Sequence, residues 1–124
     1  NKNINNNNNI NLVNKFINPD ELQLFFKSAD AVVLPFNNIE NSGSTILAMG
    51  FKKVIIAPNI GVLPDRLKNQ TDFLYNNDLL GKINKVISTD ISELQKKGEM
   101  NFNELKKNTW YDYSRYFNDN KNKI

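Results

Sequence analysis

The run Asn41-Ser42-Gly43-Ser44-Thr45 has the residue types of an anion-binding turn. It follows an apolar run at 31–34 and opens a segment of helical character that ends near Phe51, and a second apolar run follows at 53–57. This order predicts a βαβ unit, whose turn lies at the carboxyl edge of the sheet, where ligands of open α/β sheets bind. Small residues at a helix start leave backbone N–H groups free, so the run is a candidate phosphate site. The alternative is an ordinary helix start, capped by Ser or Asn.

Helices and strands alternate on both sides of this turn. Asn18-Pro19-Asp20-Glu21 predicts a helix start, because Asn18 can cap and Pro19 suits the first helical position. From the apolar spacing we also predict a short strand within 10–17 and further strands over 31–34, 54–57 and 73–75. One or two helical turns are predicted over 63–67, and helix is predicted beyond Thr89. Between them, a helix capped by Asn77 or Asp78 is predicted to carry five apolar residues on one face: Leu79, Leu80, Ile83, Val86 and Ile87. The predicted fold class is α/β, a partial doubly wound (Rossmann-like) parallel sheet with flanking helices.

The chain divides by composition into three parts. Residues 1–9 are a low-complexity, Asn-rich segment, residues 10–90 carry the partial α/β domain, and residues 91–124 are predicted to form a C-terminal helical extension. The extension ends in an aromatic stripe, for which packing is the preferred interpretation: Trp110, Tyr111, Tyr113, Tyr116 and Phe117. Because only about four strands can be counted, we expect the first strands of the sheet to lie upstream of residue 1.

The composition excludes several kinds of chemistry. The 124 residues include neither cysteine nor histidine, which excludes disulfides, the usual zinc sites and a Ser-His-Asp triad. The net charge of +3 comes from scattered lysines rather than a basic face with interleaved aromatic residues, so we do not expect nucleic-acid binding. No apolar run approaches the ~20 residues that span a bilayer, and a cytoplasmic protein is therefore expected.

Several runs occur together in an order that is more specific than any one motif. They are Asn18-Pro19-Asp20-Glu21-Leu22, the residues 26–36, Asn41-Ser42-Gly43-Ser44, the residues 47–65, and Asp72-Phe73-Leu74-Tyr75 with the helix after it. Over residues 10–90 this order resembles the nucleotide-binding C-terminal domain of GT-B glycosyltransferases, in the group 1 (GT4-type) retaining family. The resemblance implies a transferase that binds a nucleoside-diphosphate sugar and passes the sugar to an acceptor that the sequence does not identify.

The resemblance also implies roles for particular residues. The backbone of Ser42, Gly43, Ser44 and Thr45 would hold the diphosphate, with a hydroxyl from Ser44 or Thr45, and Asn59 and Gly61 would lie near the same cleft. The family carries one glutamate before the turn and another in the following helix. Here Leu47 occupies the second position and Ile39 the first, so the adjacent Glu40 is the tentative catalytic residue. No metal and no cofactor are expected.

Other expectations follow for the whole enzyme and for the competing interpretations. The family has an N-terminal acceptor domain that this chain lacks, so the segment alone is expected to be inactive, and the full enzyme is expected to be capable of peripheral membrane association.

The alternative function is a degenerate, non-catalytic α/β interaction module, favoured by Leu47. A flavodoxin-like receiver domain needs clustered acidic residues, which Asp30 alone does not supply. Simpler interpretations are a solvated Glu40, a tight bend at 59–61 and a surface turn at Asp65 and Arg66.

Overall fold

A computed structural model describes residues 9–35 and 42–121 of the chain, with side-chain surroundings for residues 9–35 and 43–107. The elements in these ranges are α1 (Pro19–Ser28), β1 (Ala31–Val33), α2 (Ser42–Gly50), β2 (Val54–Pro58), α3 (Leu63–Arg66), a 3₁₀ segment (Lys68–Phe73), β3 (Leu74–Tyr75), α4 (Leu79–Ile87) and α5 (Ile91–Lys121). The alternation of strands and helices confirms the α/β fold class.

The described strands form one parallel sheet in the order β1-β2-β3. Val32 of β1 is in register with Ile55 of β2, and Ala57 of β2 is in register with Leu74 of β3. All five residues of β2 are buried. A central parallel strand that is covered on both faces reads as an unbroken apolar run, which is what the sequence of β2 predicts.

The two faces of β2 pack into two separate apolar clusters. Ile55 and Ala57 join the α2 residues Ala48 and Met49, together with Leu63, Leu67 and Leu74. Val54 and Ile56, on the opposite face, join Phe73, Val86 and Leu94. The helices α2 and α3 therefore cover one face, and α4 and the start of α5 cover the other. This arrangement leaves the carboxyl edge of the strands at the starts of α2 and α3.

Two predicted helix starts are confirmed by their caps. The side-chain oxygen of Asn18 accepts a hydrogen bond from the N–H of Glu21 at 3.0 Å, and Pro19 is the first residue of α1. Of the two residues proposed to cap α4, Asp78 is the cap, because its Oδ1 accepts from the N–H of Gly81 at 2.9 Å. Such caps satisfy N–H groups that have no acceptor within the helix.

One prediction from apolar spacing is wrong, and a second is confirmed as a helix whose apolar face is only partly covered. Residues 10–17 form no strand, since no described strand lies beside them to supply hydrogen bonds, and Phe16 is 87% exposed. On α4 only part of the predicted face is covered: Val86 is buried, whereas Leu80 and Ile87 are 67% and 76% exposed. The second cluster contacts α4 along a stripe that is narrower than its apolar arc, so these two residues lie outside the contact.

The first half of α5 packs against the turn that joins α2 to β2. This turn has Lys52 in the left-handed region, with φ 60°, and the N–H groups of Lys52 and Lys53 bond to the carbonyls of Met49 and Ala48 at 3.0 and 3.2 Å. Gly98 of α5 lies against the Lys52 carbonyl so closely that a Cβ on Gly98 would overlap its oxygen. The side chains of the predicted aromatic stripe lie outside the described part.

Candidate functional site

The first turn of α2 opens at the carboxyl edge of the sheet. Gly43 and Ser44 are exposed, and a Cβ built on Gly43 would meet nothing within 4 Å. The N–H groups at the start of a helix have no acceptor four residues earlier within that helix. No described atom therefore blocks the Cβ position of Gly43, and the donors beside it carry the positive end of the helix dipole. The position of this turn matches the prediction, while its binding role stays a prediction.

Thr45 occupies the inner side of the same turn. It is 0% exposed and shares its face with the buried residues Ala48 and Met49, three and four positions later. The Thr45 Oγ1 atom is buried and has no hydrogen-bond partner in the described part of the chain. Because the Cα–Cβ bonds of a helix tilt toward its N-terminus, the Thr45 side chain leaves the backbone in the direction of the carboxyl edge. A buried hydroxyl without a partner is destabilising unless something else satisfies it.

The loop after β2 forms a second polar group at the same edge. The N–H of Asn59 donates to the carbonyl of Tyr75 at 2.8 Å, which extends the pairing of β2 with β3. The Asn59 side-chain nitrogen lies 3.5 Å from Oδ1 of Asn76. Gly61 has φ 56°, a conformation that favours glycine, so the tight bend predicted at this loop is confirmed.

Asn76 is a site candidate that the sequence analysis did not select. The sequence feature that could have identified it is its position directly after the short strand Leu74–Tyr75. The carboxyl ends of parallel strands meet at one edge of a sheet, which is where ligands bind. Within the described residues, no hydrogen bond joins the pair Asn59 and Asn76 to residues 43–45. The edge therefore has two polar groups, one at α2 and one at the ends of β2 and β3.

Two of the predicted site residues lie wholly or partly outside the described part of the chain. Glu40 lies outside the described residues, so its tentative catalytic role stays a prediction. Ser42 is the first residue of α2, and only its backbone is described. Leu47, at the position of the family's second glutamate, is 38% exposed on α2. An apolar residue at that depth neither fills the core nor accepts a hydrogen bond.

Arg66 corrects the prediction of a surface turn. Asp65 is exposed, but Arg66 is half-buried as the last residue of α3, and its Nη1 atom is buried without a described hydrogen-bond partner. The reason lies in its neighbours, because Leu63 and Leu67 are buried in the first cluster and draw this helix onto the sheet. The sequence signal was the i, i+4 spacing of these two leucines, which marks a buried face beside Arg66.

Metal binding and membrane crossing find no support in the described residues. These residues contain no group of three or more Asp, Glu, His and Cys side chains arranged to hold a metal ion. Across the same ranges, no helix combines the length and the apolar character that crossing a bilayer requires.

No protein-family model, no curated protein and no solved structure matches this chain. The α/β class and the three-stranded parallel sheet rest on the structure itself. The likeness to group 1 glycosyltransferases rests on the order of residues within the chain alone.

Proposed function

We propose that this chain is the donor-binding part of a GT-B glycosyltransferase, a partial nucleotide-binding domain that holds a nucleoside-diphosphate sugar. The diphosphate binds at the start of α2, through the N–H groups of Gly43 and Ser44, with Ser42 beside them. The loop with Asn59 and Gly61 lies at the neighbouring strand end and contacts the rest of the donor. Sugar transfer takes place together with a separate acceptor domain. We further propose that the whole protein is a cytoplasmic transferase.

One observation carries this proposal: the buried Oγ1 of Thr45 has no partner at the point where α2 opens onto the carboxyl edge. Valine has the same shape as threonine and would fill this apolar position without an unsatisfied donor. In the proposed complex, a phosphate oxygen at the turn accepts from the first-turn N–H groups and from the Thr45 hydroxyl, which the packing of the free protein covers. The proposed ligand therefore satisfies the buried side-chain oxygen that the described packing leaves without a partner on α2.

The substitution Thr45→Val tests the site directly. We expect it to stabilise the free protein, because it removes an unpaired buried hydroxyl, and to weaken the binding of UDP, GDP or ADP by about tenfold, the equivalent of one hydrogen bond to a charged group. Isothermal titration calorimetry with each nucleotide and with its parent nucleoside gives the affinities, and urea unfolding gives the stability.

Ser92→Ala, on an exposed position of α5, is a suitable control because it removes a hydroxyl far from the carboxyl edge. It should leave every affinity unchanged. The proposal is wrong if the wild-type chain binds none of the three nucleotides. It is also wrong if Thr45→Val binds the preferred nucleotide as tightly as the wild type does.

A second candidate function is the non-catalytic interaction module, which Leu47 favours. Its 38% exposed apolar side chain suits a protein contact better than a ribose hydroxyl. The substitution Leu47→Glu separates the two functions. In a donor site, the new carboxylate should accept from the ribose and raise nucleotide affinity several-fold, whereas in an interaction module it should leave nucleotide binding absent.

A further inference from the structure

Arg66 is a half-buried cationic residue with one buried nitrogen that no described contact explains. Its Nη1 atom is buried and lacks a hydrogen-bond partner, and none of the ion pairs in the described part of the chain includes its guanidinium. Arginine is always protonated in proteins and offers five N–H donors. A buried N–H donor without an acceptor is unfavourable, so packing alone does not account for the Nη1 atom here.

The neighbours of Arg66 make an apolar residue the expected choice for stability. Leu63 and Leu67, on either side of it along the helix, are 2% and 0% exposed within the first apolar cluster. A methionine at position 66 would cover the same surface without a charge. The guanidinium is therefore better explained by an anion that it contacts than by the stability of α3.

The topology brings Arg66 to the same side of the sheet as the turn of α2. The crossovers from β1 to β2 and from β2 to β3 both run between parallel strands, and the helices of both crossovers contribute to the first cluster. Such crossovers are right-handed, so both helices descend from the carboxyl edge on one face. Thr45 lies in the first turn of α2 and Arg66 ends the single turn of α3, and each has an unpartnered buried polar atom.

The described residues of the proposed site carry no positive charge apart from Arg66. The described residues assigned to it are Gly43, Ser44, Thr45, Asn59 and Gly61, none of which is charged. A diphosphate carries several negative charges, and an arginine binds phosphate oxygens in a bidentate, charge-assisted way. We infer that Arg66 is the cationic partner of the diphosphate at the start of α2. This inference rests on the proposed function and adds to it the residue that neutralises the ligand.

Calorimetry on matched charge-removing variants tests the inference. Arg66→Met removes the guanidinium, and Lys96→Met removes one positive charge from an exposed position of α5 that takes part in no described ion pair. The probes are UDP, GDP and ADP, their parent nucleosides, and inorganic pyrophosphate. We expect Arg66→Met to lose about tenfold or more in affinity for the preferred nucleotide and for pyrophosphate, while Lys96→Met binds both as the wild type does.

The outcomes separate this inference from the proposed function. If a nucleotide binds and Arg66→Met binds it equally well, the inference is wrong and the donor site stays. If pyrophosphate binding depends on Arg66 while no nucleotide binds, the anion site is supported and the donor function is wrong. Binding of neither probe to the wild type overturns both. If Arg66→Met does not fold, Arg66→Lys decides: weaker pyrophosphate binding supports the inference, and unchanged binding overturns it.

Discussion

Gln70 exchanges two hydrogen bonds with the backbone of Ile55. The N–H of Ile55 donates to Oε1 of Gln70 at 2.8 Å, and Nε2 of Gln70 donates to the Ile55 carbonyl at 2.5 Å. These backbone groups point away from β1, toward the side where β3 pairs only with Ala57 and Pro58. The side chain of Gln70 thus supplies the two hydrogen bonds that a longer β3 would have made from its backbone.

Gln70→Leu should destabilise the fold by roughly 3 kcal/mol, because it leaves the buried N–H and C=O of Ile55 without partners. Urea unfolding measures the change in the free energy of unfolding. Gln95→Leu, on the exposed side of α5, is the matched control and should change stability by less than about 0.5 kcal/mol. Equal effects of the two substitutions would show that the Gln70 hydrogen bonds contribute no net stability.

The same substitution, glycine to alanine, should have opposite effects on α5 and on α2. Gly98→Ala should destabilise by about 1–2 kcal/mol, since its Cβ overlaps the backbone carbonyl of Lys52 and this outweighs the better helix propensity of alanine. Gly43→Ala meets no atom within 4 Å and should stabilise by about 0.5 kcal/mol. Thermal and urea unfolding of both variants check the signs, and a stabilising Gly98→Ala would contradict the close packing of α5.

The left-handed conformation of Lys52 predicts an unusual ranking of substitutions. Glycine adopts φ 60° without steric conflict, whereas alanine keeps the strain, so Lys52→Gly should be more stable than Lys52→Ala by about 1 kcal/mol. Both variants lose the same contacts, namely the 3.7 Å ion pair with Glu99 and the position of Nζ 5.1 Å from the Phe102 ring centre. Their difference in urea midpoint therefore reports the backbone alone, and equal midpoints would exclude the strain.

A carboxylate at position 44 should separate helix stability from ligand binding. Ser44→Glu places a negative charge in the first turn of α2, where the helix dipole should stabilise it by about 0.5 kcal/mol. The same charge should repel a diphosphate and reduce nucleotide affinity by more than tenfold. Ser44→Gln, which has the same shape without the charge, should bind far better than Ser44→Glu in calorimetry. Equal nucleotide affinity of the two variants would mean that the diphosphate binds elsewhere.

The sequence predicts those elements of the fold that are specified locally. Asn18 and Pro19 mark the start of α1, and the unbroken apolar run of β2 marks a strand covered on both faces, as the structure confirms. Gln70 could not be predicted, because its role depends on where β3 begins to pair, which is a property of the whole sheet. In the same way, Leu80 and Ile87 have the spacing of a buried face, yet burial requires a neighbour that α4 does not have at these positions.

The candidate site likewise has features that the sequence predicts and features that depend on how the elements pack. The turn at α2 could be located from its residue types and its place after β1, while the unpartnered atoms of Thr45 and Arg66 appear only once the helices are packed. The spacing of Leu63 and Leu67 marks a buried face beside Arg66, but the lack of a partner for its Nη1 atom depends on neighbours from other elements. The pairing of Asn59 with Asn76 likewise depends on the order of the strands, since these residues are 17 positions apart in the chain.

Asn101 limits how this α/β unit can be recombined or transplanted. Its side-chain nitrogen lies 3.2 Å from the Lys53 carbonyl and 2.7 Å from Oε1 of Gln70, so α5 supplies a donor deep beside β2. A chimera that kept the strands but replaced α5 would lose the Asn101 amide beside β2. It would also lose Gly98, which packs against the Lys52 carbonyl. The unit that evolution or an engineer can move intact therefore includes the first four turns of α5 as well as the sheet and the helices that cover it.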